Sequence, residues 1–211
     1  MKKIAFIGIG KVGFALADGL QQKGYRIVIG NDNPDSESVK DALRRNRALN
    51  ELPVQHAIDQ SEIVFLTVPF KAVESLSKAY DFSGKIVVDC TNPVGAGMTH
   101  ALESKKSGSE FIAALLTDSR IVKAFTIYGF ENLIDNTYPG YGQLKPAMLL
   151  SGDHNDSKEQ VSVICEHLGW EAIDTGGLSQ ALHLEHLTLL WINMARVQGK
   201  GADFVWARLK R

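Results

Sequence analysis

The stretch Gly8-Ile9-Gly10-Lys11-Val12-Gly13 constrains the fold of this chain more than any other. It follows Ile4-Ala5-Phe6-Ile7, a wholly apolar run that reads as a strand buried on both faces of a parallel sheet. It leads into a helical pattern from about Phe14 to Lys23. There Val12, Leu16 and Leu20 are apolar, and Ala15, Ala17 and Gly19 are small enough to lie close on a sheet. A second apolar run, Ile27-Val28-Ile29, follows Gly24. Strand, glycine turn, helix and strand within about 30 residues is what a dinucleotide-binding unit requires. Gly8 permits the tight turn, Gly10 lets a pyrophosphate approach the backbone, and Gly13 allows the helix to pack on the strand. The phosphates then meet free N–H groups at the positive end of the helix dipole.

The rest of the chain repeats the alternation. Ser36 fits an N-cap for a helix reaching about Leu49, and the arginines at 44, 45 and 47 read as its solvated face. Leu52 to Gln55 reads as a short strand, and residues 57–60 as one helical turn. Residues 62–68, 85–89 and 120–125 read as buried strands, with helices over 70–80 and 110–117 between them. Residues 131–145 read as a long loop. A smaller unit follows: a strand at 147–150, a helix at 157–168, a strand at 171–174 and a long last helix from Leu178 to about Gln198. The expected fold is a doubly wound α/β sheet, a Rossmann domain over residues 1–145, with a small C-terminal α/β lobe over 146–211. With 45% hydrophobic residues, 211 residues can bury such a core.

Composition excludes several functions. The net charge of −1 comes with no strongly basic stretch, so no nucleic-acid partner is expected. The start runs straight into a core strand and the apolar run Leu187 to Ile192 is too short to span a membrane, so a cytoplasmic protein is expected. Cys90 and Cys165 suggest neither a disulfide framework nor a metal site. Among the six histidines only His183 and His186 are close, on one side of a helix beside Glu185, and no third metal ligand accompanies them. Cys90 reads as a small buried residue at a strand end rather than a nucleophile.

Ligands of such sheets bind beyond the carboxyl ends of the strands. Thr67, Val68 and Pro69 are expected beside the cofactor. Asn92 and Pro93 follow the next strand, where Asn92 can offer its amide to a nicotinamide carboxamide or an acceptor ring. Lys123, in an apolar strand, either reaches the cleft or snorkels to solvent. Asp32 lies about 20 residues past Gly13, where an acidic side chain hydrogen-bonds the ribose 2′-hydroxyl and repels a 2′-phosphate. Asn31 fits the strand end equally well, and Asn31-Asp32-Asn33-Pro34 also makes a good turn. On Asp32 alone, NAD is favoured over NADP. The final helix, apolar almost all round, points to a homodimer interface.

The chain resembles the deazaflavin-dependent (coenzyme F-420) NADP oxidoreductases and, more distantly, the cytoplasmic domain of STEAP-type metalloreductases. The resemblance rests on Ile7 to Gly13, Ile29-Gly30-Asn31, Phe65 to Phe70, Val88 to Pro93, Val122 to Phe125 and, least widespread, Asp174-Thr175-Gly176-Gly177-Leu178-Ser179. It implies hydride transfer between a nicotinamide and a stacked flavin or deazaflavin ring. By position, Ile9 to Val12 would hold the pyrophosphate and Asn31 to Asn33 the adenosine end. Thr67 to Pro69 would flank the nicotinamide, and Asn92 and Pro93 the acceptor. NADP-binding members carry a small polar residue and arginines where this chain has Asn31-Asp32-Asn33. Stacked-ring transfer needs alignment and exclusion of water more than an acid–base pair, which suits a sequence that shows none. A non-catalytic dinucleotide sensor also fits, as does a small dehydrogenase using Lys123 or His183 for proton transfer.

Overall fold

The computed structural model describes residues 2–211. Strand β1 (Lys3–Ile7) is the third strand of an eight-stranded sheet with the order β3-β2-β1-β4-β5-β6-β7-β8. The flanking strands are β2 (Arg26–Gly30), β3 (Asn50–Leu52), β4 (Ile63–Leu66), β5 (Ile86–Asp89) and β6 (Arg120–Lys123). All six run parallel. Their continuous apolar runs follow from burial on both faces. Ile4, Phe6, Ile29, Phe65, Val88 and Val122 belong to one core cluster, while their alternate neighbours Ala5, Ile7, Val28, Val64, Val87 and Ile121 belong to the other. Phe6 and Phe65 stack at 4.8 Å across β1 and β4.

Helix α1 (Lys11–Gln22) covers one face from the glycine turn. The intervening helices are α2 (Glu37–Arg45), α3 (Val54–Asp59), α4 (Val73–Ala79) and α5 (Gly108–Leu115). α2 is shorter than its sequence pattern suggests, and Ser36 sits at its N-cap without a side-chain capping bond. α5 has a full capping box: Ser107 accepts the Glu110 N–H, and the Glu110 carboxylate accepts the Ser107 N–H.

β7 (Ala147–Gly152) departs from the expected parallel sheet by running antiparallel to β6. The chain leaves β6 at the carboxyl edge and makes α6 (Phe130–Ile134) against α1. It never crosses back, so β7 starts at that edge and runs the other way. Residues 131–145 are therefore part helix and part loop. α7 (Asn155–His167) then returns the chain to β8 (Glu171–Asp174), parallel to β7, so the C-terminal strands extend the same sheet.

The last helix is one continuous coil: a single 3-10 turn at Leu178–Gln180, α8 (Ala181–Ile192) and a wider π turn at Asn193–Val197. Its inner stripe is Ala181, Leu184, Glu185, Thr188, Trp191 and Ala195, all buried. Apart from Leu178, which is buried, the apolar residues outside that stripe stay partly open, with Leu190 49% and Val197 60% exposed. The tail after 198 folds back: Phe204 stacks on Trp191, and Ala147 donates its N–H to the Trp206 carbonyl. Among the described residues no helix is long and apolar enough to cross a membrane.

Candidate active site

The expected cleft residues all lie where their strands end at the carboxyl edge. At the first turn the three glycines separate by cause. Gly8 has φ +93°, and a Cβ there would sit 2.8 Å from the Thr67 backbone. At Gly13 a Cβ would meet the Gly8 carbonyl at 2.6 Å and Thr67 Oγ1 at 2.8 Å, so helix and strand touch backbone to backbone. Gly10 is different. Its φ of −68° suits any residue, and a Cβ would meet nothing within 4 Å. No protein atom therefore requires glycine at 10.

Gly10 is also the N-cap of α1, with no side-chain capping bond and no acidic residue in the first turn. The first-turn N–H groups of Lys11, Val12 and Gly13 lie at the positive end of a 12-residue helix. These residues fit a pyrophosphate. Ile9 is buried and Lys11 Nζ lies 4.8 Å over the Phe130 ring, which ties the turn to α6. Thr67 has a holding job: its hydroxyl donates to the Gly8 carbonyl at 2.6 Å. Val68 lines the same contact, 2.8 Å from a Cβ at Gly8, and Pro69 begins the turn into α4.

At the end of β2, Asn31 donates from Nδ2 to the Asn33 carbonyl and to Glu51 Oε1, both at 2.7 Å. Asn33 Oδ1 accepts the Asp35 N–H, so the segment is a tight Asx-type turn. Asp32 accepts the first N–H of α3 from Val54 at 2.8 Å and the Tyr80 hydroxyl at 2.6 Å. Those two bonds, Tyr80 first, hold its carboxyl below the usual aspartate range. Asp32 thus has a structural duty that its spacing alone did not reveal.

Across the cleft, Asn92 Nδ2 donates to the Thr126 carbonyl at 3.2 Å, and Thr188 Oγ1 donates to the same oxygen at 3.0 Å. Pro93 is buried beside Gly108, at whose position a Cβ would meet it at 3.1 Å. Phe125, just before Thr126, is buried with φ +58°, a left-handed conformation uncommon for a bulky side chain. Asn92 Oδ1 and Thr126 Oγ1 are both buried with no hydrogen-bond partner among the described residues. They are two of seven such buried side-chain atoms among the described residues, and the two lie next to each other across the Asn92–Thr126 hydrogen bond.

Lys123 neither reaches the cleft nor snorkels. It is 0% exposed, with Nζ 3.1 Å from Asp89 Oδ2, 2.9 Å from Glu185 Oε1 and 2.6 Å from the Thr91 carbonyl. The two carboxylates hold its pKa above the ordinary lysine value although burial pulls it down. Asp89 also accepts from Ser109 Oγ and from the N–H and hydroxyl of Thr91. Glu185 accepts the Gly108 N–H at 3.0 Å on both oxygens and, on Oε2, His100 Nε2 at 2.8 Å. His100 Nδ1 accepts two backbone N–H groups, from Leu102 and Ser104, which fixes the neutral Nε2–H tautomer. His183 is outside this cluster, and His186 touches it only through Ser104 and the edge of the His100 ring. Cys90 is buried and its thiol is pushed well up by desolvation, which removes it as a nucleophile.

Residues 3–93 match the model of the family described as NADP oxidoreductase, coenzyme F420-dependent. The F420-dependent NADP reductase of Methanothermobacter marburgensis is 30% identical over 213 residues, covering 91% of this chain and 92% of that protein. The chain belongs to this family. That places it among the nicotinamide-dependent oxidoreductases, as the glycine turn and its flanking motifs led us to expect. Metalloreductase STEAP3 of Rattus norvegicus is 29% identical over 189 residues; this chain spans only 36% of its length. In fold, the chain superposes on a candidate F420-dependent NADP reductase of Arthrobacter sp. FB24 with a TM-score of 0.85, at 21% identity and 100% coverage of both chains.

Sequence reasoning placed the Ala124-Phe125-Thr126 turn at the cleft but missed the parts played by Asp89, His100 and Glu185. The available signal was a charged residue on each buried surface: Lys123 in an apolar strand, and Glu185 amid the leucines of α8. Charges at such positions are almost never left unpaired. That rule predicts a partner without saying which one.

Proposed function

We propose that the protein transfers a hydride between a nicotinamide dinucleotide and a flavin- or deazaflavin-like ring. The observation that carries this reading is the Gly8–Gly13 turn, with Gly10 facing open space over an uncapped, acid-free helix N-terminus. The family relationship supports the same chemistry. Ile9 to Gly13 bind the pyrophosphate, Asn31 to Asn33 flank the adenosine end, Thr67 to Pro69 the nicotinamide, and Asn92 and Pro93 the acceptor. The chain's part is to align two rings and keep water out, with no side chain taking a proton from carbon. Residues 146–211 form the acceptor-side lobe, and the open leucine and valine face of the last helix packs against a second copy of this chain.

The preferred dinucleotide is NAD rather than NADP. The carboxylates of Asp32 and Glu51 lie at the end of β2, where a 2′-phosphate would have to sit. Of the basic residues that follow, Lys40 lies beside Asp35 and Glu37, Arg44 and Arg45 pair with Asp41, and Arg45 also stacks over the Phe14 ring. A doubly charged phosphate would meet repulsion there without a guanidinium fork.

The test is anaerobic loss of reduced-nicotinamide absorbance from NADH and from NADPH, each with a deazaflavin and with FMN. Turnover, faster at low concentration with NADH, is expected. Saturable nucleotide binding without turnover on any acceptor would move the reading to a dinucleotide sensor.

A further inference from the structure

The ion cluster of Asp89, Lys123 and Glu185 touches none of the residues of the glycine turn, yet it is a costly feature of the interior. Two carboxylates and one ammonium are out of water, leaving one net negative charge when His100 is neutral. Desolvating such groups commonly costs more than their attraction returns, and an apolar cluster of similar volume is often more stable. The excess charge is met by α5, whose first N–H, from Gly108, points at both oxygens of Glu185.

What the cluster does hold is one turn. Thr91 is gripped from two sides: its carbonyl accepts from Lys123 Nζ, and its N–H and hydroxyl both donate to Asp89 Oδ1. The next residue is Asn92. Its Nδ2 is committed to the Thr126 carbonyl, itself fixed by Thr188 from α8 and preceded by the left-handed Phe125. Asn92 Oδ1 is left as a buried acceptor without a protein partner.

We propose that Lys123, with Asp89 and Glu185, is a positioning residue for the Thr91–Asn92 turn, and that Asn92 Oδ1 accepts an N–H from the bound ligand. The chemical class is an amide-type donor, either the carboxamide of the nicotinamide or a ring N–H of the acceptor. The inference rests on the proposed function for its kinetics but not for its structural half. Lys123 touches neither ring and acts only through Asn92.

A double-mutant cycle tests this. Lys123→Met and Asn92→Ala are each expected to lower kcat by about 10- to 100-fold, while the dissociation constant of NADH changes less than about 3-fold if the acceptor is the donor. The variant carrying both changes should be no slower than Asn92→Ala alone. Full multiplication of the two losses would show that Lys123 acts on the fold generally and would overturn the proposal. Lys123→Met strands two buried carboxylates; if it fails to fold, Glu185→Gln, which keeps the shape but turns one acceptor oxygen into a donor, replaces it in the cycle. Hydrogen exchange supplies the reading that needs no turnover. The peptide covering residues 90–94 should lose at least about 10-fold more protection in the Lys123 or Glu185 variant than the peptide covering residues 8–13. Unchanged protection at 90–94 would overturn the proposal even in an active enzyme. A wild type that turns over no acceptor but shows that loss of protection would instead sink the proposed function alone.

Discussion

The two flanks of the cleft are built on opposite principles. On the side of the glycine turn, position is set by atoms that are absent: Gly8 and Gly13 let backbones meet where a Cβ would clash, and one hydroxyl, Thr67, fastens the turn. On the side of the Thr91–Asn92 turn, position is set by charge: Asp89, Lys123 and Glu185 reach together from β5, β6 and α8 and grip Thr91. The first device is local and steric. The second is assembled from residues up to 96 positions apart, counted from Asp89 to Glu185, and depends on desolvated ions. A steric device fails by strain, whereas an ionic one fails when a single partner is lost.

That contrast breaks most sharply at Lys123. Lys123→Met should cost about 3–5 kcal/mol, read as the midpoint of urea unfolding, because it leaves two buried carboxylates unpaired. Replacing both Lys123 and Glu185 by methionine should recover part of the loss, since fewer charges are then stranded. A loss below about 1 kcal/mol for the single change would mean that water already reaches the cluster.

The glycine side gives the next effects. Gly13→Ala forces a Cβ into the Gly8 carbonyl at 2.6 Å and should cost about 1–3 kcal/mol of stability as well as nucleotide binding. Gly10→Ala meets no protein atom within 4 Å, so unfolding should shift by less than about 0.5 kcal/mol. Its affinity for NADH should nevertheless fall by about 10-fold or more, because the methyl occupies the path of the pyrophosphate. Isothermal titration and thermal unfolding of the two variants separate these roles. If Gly10→Ala bound NADH as tightly as the wild type, the open space at Gly10 would have no ligand to explain it.

The same contrast explains what was legible in the sequence. The glycine turn, both flanking strands and most of the alternation through residue 125 could be read directly, because each depends on neighbours in the chain; the short strand expected at 52–55 lies instead at Asn50–Leu52, and Val54 and Gln55 already belong to α3. The reversal of β7 could not. Nothing in Ala147 to Gly152 distinguishes a parallel from an antiparallel strand, and the deciding fact is that α6 stays at the carboxyl edge against α1. Lys123 was visible as an anomaly, but its partners lie 34 and 62 residues away, beyond any spacing rule. Asp32 was found by spacing, although its bonds to Val54 and Tyr80 required the fold.

Asp32 gives the smallest effect and the one with a pH signature. Its carboxyl is held below the ordinary aspartate range, first by the Tyr80 hydroxyl and then by the Val54 N–H. A depressed folded-state pKa contributes stability that is present above the unfolded value of about 3.9 and is lost as pH falls through the folded value. Asp32→Asn should therefore be less stable than the wild type by a constant amount from about pH 5 to 8, and the gap should close below about pH 4. Tyr80 carries the reciprocal effect: the bond to Asp32 raises its phenol, so that part of the stabilisation is present below about pH 10 and lost above it. Urea midpoints of both proteins across that range give the comparison. A gap that stayed constant down to pH 3 would locate the contribution of Asp32 in packing rather than charge.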